Sequence, residues 1–558
     1  MLAPICFSFA VMAGRPQADA LQVWLVDPLR KVLRTAERSP DEGERAEAAR
    51  GENASWQLVV RSSKPVSGLK AFVEPLVLRG AKDRLPDVRA RFVGYVPVPR
   101  FADSPDSEAV AKPPCDLPDP LLADPKLDLP ADQSQPVWLD VDVPLDAKPG
   151  LYEGFAKIVG TLGGRTVSAR VAISVKVFEA RVGASRLWVT NWFRTGDGKY
   201  DDPSWPEAER FERRMRVYAR SMKAHRQNVV LTPVLDLTTV SKSEDGSWRF
   251  DFSRLAEYLR WFDEEGVLGL IEGGHFGGRA STWESPFVFR HAATDAGGGV
   301  AWKSSAPEDP DLQAFYRAFL PALESFLKEK GYWNRYRQHL ADEPISTNRA
   351  SYVAMAKLVK SILPDLKVME ACHDHELVGS VDLWVPQLNF LKDQWPHYQA
   401  RQAAGEEVWF YTCVFPQGDY PNRFIEQPLI KARLLHWINF RYGVTGYLHW
   451  GWNHWGADPF QPIGQIEESG LFLPAGDTHI VYPVPGGLLD SIRHEALRDG
   501  IADHELLSLV AEKRPELARS VAERMVASMD RVSTDVRAFR EARRELLVAL
   551  GEIQKNGK

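Results

Sequence analysis

From about residue 186 to residue 450 short apolar runs alternate with amphipathic stretches, and this alternation limits the fold more than any other feature. The runs are 187–193, 228–234, 268–273, 336–342, 366–371, 381–388, 407–414 and 444–450. Each is too short for a helix and rich in Val, Ile, Leu and aromatic residues, the texture of strands buried on both faces. Helical periodicity fits the intervening segments 206–223, 253–265, 311–330, 347–363 and 424–441, the last carrying Ile425, Leu429, Leu434, Leu435, Ile438 and Phe440. Eight strand–helix repeats predict a central (β/α)8 TIM-type barrel, bounded here at 183–489.

The flanks read differently. Residues 21–182 hold strand-like segments such as Trp56-Gln57-Leu58-Val59-Val60 and 137–143, a Pro149-Gly150 turn signal, and the alternating Val167, Ala169, Val171, Ile173 and Val175. They predict an N-terminal antiparallel β-sandwich. Within it, the Pro-, Asp- and Ala-rich stretch 101–136 reads as a long ordered loop able to reach a neighbouring domain. Residues 490–558 are rich in Ala, Glu, Leu and Arg, with helices expected at 501–511, 515–529 and 535–552, giving a C-terminal α-helical region. The chain is thus multidomain. Residues 1–20 form a signal-like segment, an apolar run at 2–13 followed by Ala18-Asp19-Ala20 but preceded by no basic residue, and the expectation is export to the periplasm or beyond.

Bulk properties exclude some classes. No apolar run reaches the roughly 18–20 residues that span a bilayer. The 69 basic against 75 acidic residues leave a net charge of −6, without the basic excess of a nucleic-acid partner. Cys6, Cys115, Cys372 and Cys413 form no C-x-x-C pair and read as packing thiols. No Walker-type phosphate loop or Gly-x-Ser-x-Gly elbow occurs, and no cofactor is implied.

Barrel enzymes carry their chemistry at the C-terminal strand ends. The fourth run ends His339-Leu340-Ala341-Asp342-Glu343-Pro344. Two adjacent carboxylates repel, so one holds its proton toward neutral pH, supplying an acid beside an anion. Glycosidic cleavage needs both, but two opposed catalytic carboxylates stand roughly 5–9 Å apart across the bond. Neighbours on one strand suit the substrate-assisted variant better, in which the sugar's own 2-acetamido oxygen attacks C1. Asp342 would then orient the acetamido nitrogen, and Glu343 would act as acid and then base.

The other strand ends supply candidate substrate contacts. Asn191 and Trp192 close the first, His275 follows the third, Gln387 and Asn389 end the sixth, and Tyr411, in the seventh, offers a hydroxyl to the acetamido oxygen. After the last strand come Trp450, Trp452, Asn453 and Trp455, whose three indoles read as a sugar-stacking wall. His339 belongs to the same rim. His373-Asp374-His375 has chelating spacing but no evident third ligand, so no metal site is expected.

These residues resemble glycoside hydrolase family 123 and its relatives with the domain of unknown function 4091. The resemblance rests on Ala49 to Val60, on His339 to Pro344, on Gly476-Asp477 with Val481-Tyr482-Pro483, and on the long block from Ser491 to Leu507. Residues 101–136 and 272–303 depart from the family pattern. The resemblance implies a sandwich, a barrel and a helical C-terminal part. It also implies exo-acting, retaining release of terminal β-linked N-acetylgalactosamine, with Asp342 as stabiliser and Glu343 as acid/base. Rival readings are a β-N-acetylglucosaminidase, a barrel hydrolase using Glu272 or Asp374 as nucleophile on a sugar without the acetamido group, and a non-catalytic carbohydrate-binding protein.

Overall fold

The computed structural model describes residues 21–39, 45–294, 299–466 and 469–556. The signal-like segment lies outside the described residues.

Residues 22–181 form two facing sheets. One runs Gln22–Val26, Asn53–Arg61, Ser134–Asp142, Arg89–Val98, Cys115–Leu121, all antiparallel. The other runs Arg45–Arg50, Arg165–Arg181, Gly150–Leu162, Val66–Val73, Lys126–Leu129, with only its first pair parallel. Period-two alternation sends Trp56, Leu58 and Val60 inward from one sheet and Ile173, Val175 and Val177 from the other, into one shared core. The Trp56 indole also donates to the Ser174 carbonyl across the gap (3.2 Å).

The expected loop at 101–136 is only partly a loop. Cys115–Leu121 and Lys126–Leu129 pair into the two sheets, because Leu117, Leu121 and Leu129 are buried there. The remainder does reach another domain: Ser104 N donates to Gln417 Oε1 (2.9 Å), Ser107 N to Asp419 Oδ1 (2.9 Å), and buried Lys431 holds Asp106.

All eight apolar runs of the central region contain strands: Trp188–Asn191, Val229–Thr232, Leu270–Gly273, Tyr336–Gln338, Met369–Cys372, Leu383–Pro386, the split pair Glu407–Val408 and Phe410–Tyr411, and Gly446–His449. Every pairing among them is parallel, but no continuous closed barrel is found. The strands form three three-stranded sheets, strand seven being shared between two of them. Strands four and five meet at one bridge, Gln338 to Val368. Between strands one and two the Asn228 side chain substitutes for a ladder, accepting from Val189 N (2.9 Å). Of the expected (β/α)8 arrangement the structure shows three short parallel sheets, whose inward residues, among them Val229, Leu270, Met369, Val385, Tyr411 and Leu448, pack in one cluster.

Helices Arg210–Ala224, Ser253–Glu264, Pro310–Glu329, Arg349–Ile362 and Leu429–Tyr442 follow their expected segments. Asp309 caps the third of these through Asp311 N and Leu312 N, with Pro310 in its first turn. Two short helices, Leu388–Asp393 and Trp395–Ala403, fill the interval after strand six. A three-stranded antiparallel hairpin sheet, Gly277–Arg279, Phe287–Thr294 and Val300–Ser305, is inserted after strand three.

The C-terminal helices are Ile492–Ala511, Pro515–Met525 and Val536–Asn556. The first is buried almost all round and carries charges that tie it to the sandwich, to the helix Leu429–Tyr442 and to the last helix. Arg493 grips Asp119 of the sandwich through Nε and Nη2 (both 2.8 Å), Glu495 pairs with Arg91 (2.6 Å), and Asp503 holds both Arg433 and Arg543 (each 2.7 Å). Lysine cannot reproduce a two-pronged guanidinium grip. Arg493→Lys is expected to lower unfolding stability by about 2 kcal/mol in urea melts, the scale of one lost charge-assisted bond. An unchanged midpoint would remove Arg493 from the interdomain joint.

Candidate active site

The fourth strand leaves its ladder at Gln338, four residues before the expected end. His339 N still donates to Gly273 O (3.1 Å), and the two amides after it are captured by a side chain: Glu370 Oε2, from strand five, accepts from Leu340 N (2.9 Å) and Ala341 N (3.1 Å). The chain then turns so that Glu343 adopts a left-handed backbone (φ 49°). For a residue with a Cβ this costs on the order of 1 kcal/mol and points to a functional constraint. Arg279 of the hairpin sheet holds the turn by donating to the Glu343 carbonyl (2.8 Å), and Glu343 N donates to Ala371 O (3.0 Å).

The two carboxylates face different partners. Glu343 Oε1 accepts from the Tyr411 hydroxyl and lies 3.2 Å from His373 Nε2, which is itself 2.7 Å from that hydroxyl. Burial opposes the Glu343 charge, but the His373 bond and charge, the Tyr411 bond and the Arg279 charge outweigh it and lower the Glu343 pKa. Asp342 has 44 % of its side chain exposed, yet its Oδ1 is enclosed without a hydrogen-bond partner, 3.8 Å from His275 Nε2. Enclosure and the adjacent Glu343 charge raise Asp342 to about 6. The resting pair therefore keeps its shared proton on Asp342.

Beneath them lies a buried charge chain. His339 Nδ1 is 2.8 Å from Glu370 Oε1, and its Nε2 is 2.8 Å from Glu272 Oε1. These carboxylates overcome the cost of burial and raise His339 to about 10. Glu370 is pulled to about 2 against its own burial by His339 and His275. Glu272 also accepts from Thr190 (2.6 Å) and from the Trp192 indole (2.7 Å).

The remaining expected contacts divide. His275 and Tyr411 meet the pair directly; Trp192 packs against His275 (ring centroids 5.3 Å), and Gln387 Nε2 lies 3.3 Å from the Tyr411 hydroxyl. Asn389 has a buried Oδ1 without a partner. Trp450 is half-buried, anchored through Nε1 to Asp477 Oδ1 (3.1 Å). Five expectations are corrected. His339 is wholly enclosed between two glutamates. Asn191 is consumed by Gln227 (3.1 Å) and Arg423 (2.7 Å). Asn453 brackets the backbone of Arg194 (2.7 and 3.0 Å). Trp452 packs on Tyr218 and Phe193 in the core, and Trp455 donates to Val481 O (2.7 Å). Of the three-indole wall only Trp450 remains.

Several residues take part in the site that the sequence had not placed among the substrate contacts. His373 bridges Glu343 and Tyr411. Trp283 stands 45 % exposed on the rim, its ring 5.9 Å from that of His373 and under the Arg279 guanidinium. Burial raises Asp477, behind Trp450, to about 7. Glu370 was legible as a lone acid inside the apolar strand Met369–Cys372.

His373-Asp374-His375 does not assemble as a chelate, because Asp374 pairs with Arg349 and His375 lies against His397. Among the described residues two other groups bring donor atoms within 4.8 Å: His275, His339 and Glu370, and His225, Asp490 and His494. In the first, both His339 nitrogens are committed to carboxylates. In the second, the imidazoles stack at 3.4 Å and 8°, so their lone pairs lie in separate parallel planes.

With this geometry in hand, comparison with known proteins is specific. Residues 200–510 match the family model for the glycoside hydrolase 123 catalytic domain, and residues 30–160 match that for the glycoside hydrolase 123 N-terminal domain. The molecule is a glycoside hydrolase acting on glycans. Within that class, the chain belongs to glycoside hydrolase family 123. Its fold is that of a family 123 glycoside hydrolase from Clostridium perfringens, with TM-score 0.75 and 15 % identity over 96 % of this chain and 99 % of that one. A GH2 β-galacturonidase from Eisenbergiella tayi (TM-score 0.29, 11 % identity, 81 % of this chain and 69 % of that one) and an endo-β-1,4-mannanase from Thermotoga petrophila (0.33, 13 %, 58 % and 77 %) overlap too loosely to carry an argument. No curated protein matches the sequence.

Proposed function

We propose that the enzyme is an exo-acting, retaining β-N-acetylgalactosaminidase that uses the substrate's own 2-acetamido group as nucleophile. One observation carries this reading: the acidic groups that the strand ends set around the adjacent pair Asp342–Glu343 are already committed. Glu272 is spent on Thr190, Trp192 and His339, Glu370 on His339 and two amides, and Asp374 on Arg349. Asp477 sits fully buried behind Trp450. With those groups committed, the acetamido oxygen of a sugar bound over the pair is the nucleophile at hand.

In this mechanism the sugar's acetamido N–H donates to Asp342, favouring its ionised form, and the shared proton moves to Glu343. Tyr411 turns its hydroxyl from Glu343 to the acetamido oxygen. That oxygen attacks C1 while Glu343 protonates the departing oxygen, giving an oxazolinium ion held by Asp342. Glu343, now a base, takes a proton from water as the water attacks C1, and the acetamide is restored. Two inversions leave net retention. Trp450 and Trp283 are placed to stack on sugar faces. We further read the three parallel sheets as one (β/α)8 ring, opened where Asn228 and the Gln338–Val368 bridge replace continuous ladders.

The test is a panel of aryl β-glycosides of N-acetylgalactosamine, N-acetylglucosamine and galactose. Turnover is expected in the order in which they are named, with the plain galactoside inert. Galactoside as best substrate would sink acetamido assistance, and a preference for the gluco epimer would overturn only the sugar assignment. The proton shared by the pair sets a second expectation. Asp342 holds it up to about pH 6, so the free enzyme loses it as pH rises through that value. A plot of kcat/KM against pH should therefore fall on its alkaline side from about 6. A plateau extending through about pH 8 would contradict the shared-proton account.

A further inference from the structure

A cleft of about 680 Å³ lies beside the catalytic pair, joined to it through His275 on the Asp342 side. Its walls are the loops after the first three strands, at 193–197, 233–236 and 274–275, with Arg290 from the hairpin sheet. His275 belongs to both this cleft and the catalytic pair, standing 3.8 Å from Asp342 Oδ1. The partners of Glu343 that lie on strands or their exits, His373 and Tyr411, come from strands five and seven, in the other half of the strand order. The acid therefore faces one way and the cleft opens the other.

The cleft is built to hold polar ligand atoms. Asp197 lines it, with Oδ2 shielded from solvent and without a hydrogen-bond partner, and its side chain does not cap the short turn that follows. Burial raises its pKa against the pull of the Arg194, Lys199 and Arg214 charges. Arg290 is paired with Asp236 (2.9 Å), setting a donor and an acceptor side by side. Arg194 is exposed, and its loop is pinned because Asn453 clasps its backbone on both sides. Alternating carboxylates and guanidinium groups around an open cleft match the vicinal hydroxyls of a saccharide, which donate and accept in turn.

We propose that this cleft is a glycone-side subsite that holds a further sugar attached to the N-acetylhexosamine being cleaved, so that the enzyme also releases a disaccharide from an extended chain. The choice of side rests on Glu343 being the acid of the proposed function, since the leaving group departs on the acid's side. A terminal sugar with nothing attached leaves the cleft to water, and an attached sugar fills it.

Three substrates and one variant test this: an aryl β-N-acetylgalactosaminide, the same glycoside carrying a β-hexose on the N-acetylgalactosamine, and N-acetylgalactosamine β-linked to a hexose as leaving group. The wild-type enzyme should release aryl alcohol from the extended glycoside with the disaccharide as co-product. Asp197→Ala should cut kcat/KM for that substrate about ten-fold or more, the scale of one hydrogen bond to a charged group, relative to its effect on the simple aryl glycoside. Equal losses on all three would reduce Asp197 to a structural residue, and a selective loss on the third would put the cleft on the leaving-group side. Either overturns the proposal, as does an extended glycoside that is never cleaved or bound. Titration of the unhydrolysed disaccharide by NMR separates the two readings: binding that Asp197→Ala weakens, without turnover of any 2-acetamido glycoside, preserves the subsite and overturns the function.

Discussion

Glu343→Gln is expected to lower kcat on N-acetylgalactosamine glycosides with sugar leaving groups by about 10³-fold, within the range for a positioned acid/base. The amide keeps the size of the side chain and still accepts from Tyr411, so substrate binding should survive. A sugar leaving group needs full protonation and a nitrophenolate needs little, so the loss should be smaller on nitrophenyl glycosides. Asp342→Asn is expected to lose about 10²–10³-fold on both kinds, because it removes the charge that faces the oxazolinium ion whichever group departs. A thiazoline mimic of the intermediate separates the roles: Glu343→Gln should hold it nearly as well as the wild type, and Asp342→Asn should bind it weakly. Equal loss of inhibitor affinity in both variants would dismiss the division of labour. Normal turnover in either would dismiss that residue.

Much of this arrangement can be read from the chain, and the parts that cannot share a cause. Each strand was legible because apolar runs of six to eight residues between amphipathic stretches have few other uses. The break in the parallel ladder was not, because it depends on Asn228 reaching Val189 and on Glu370 taking the amides of Leu340 and Ala341. Both are contacts between segments distant in sequence. The indole wall failed for a local reason. Three Trp in six positions form one surface only if the chain stays extended. At 450–455 it turns, with Trp452 N bonded to Trp192 O and Trp455 N to Asn453 O, so the rings separate into rim and core. Residues 491–507 were recognised as a signature, but their work is structural: the charges of that helix join sandwich, parallel sheets and C-terminal helices. Through Arg493, which also donates to the carbonyls of Gly476 and Arg423, the joint reaches the loop holding Asp477 behind Trp450.

The charge chain beneath the active pair leads to the second large effect. His339→Leu is expected to cost about 3–5 kcal/mol of unfolding free energy near pH 5.5, because removing one partner of a buried ion pair strands the others. The sign follows from the shifts. His339 is raised from 6.5 to about 10, so its contribution is complete below about 6.5 and is lost as pH rises through 10. Glu370 is depressed from 4.5 to about 2, so its contribution is complete above about 4.5 and is lost as pH falls through 2. The difference between wild type and variant in urea melts should be largest between these limits and shrink on either side. A constant difference across pH would mean that the leucine merely packs badly. Activity should fall with stability for a separate reason. Glu370 is the acceptor that draws Leu340 and Ala341 off the ladder, and without His339 its carboxylate can swing toward water and release the peptide that carries Asp342. Glu370→Gln can still accept from those amides through its carbonyl but no longer balances His339. It should therefore keep the turn better than Glu370→Ala, and the gap in kcat between these two variants measures how much of catalysis depends on where the strand is made to end.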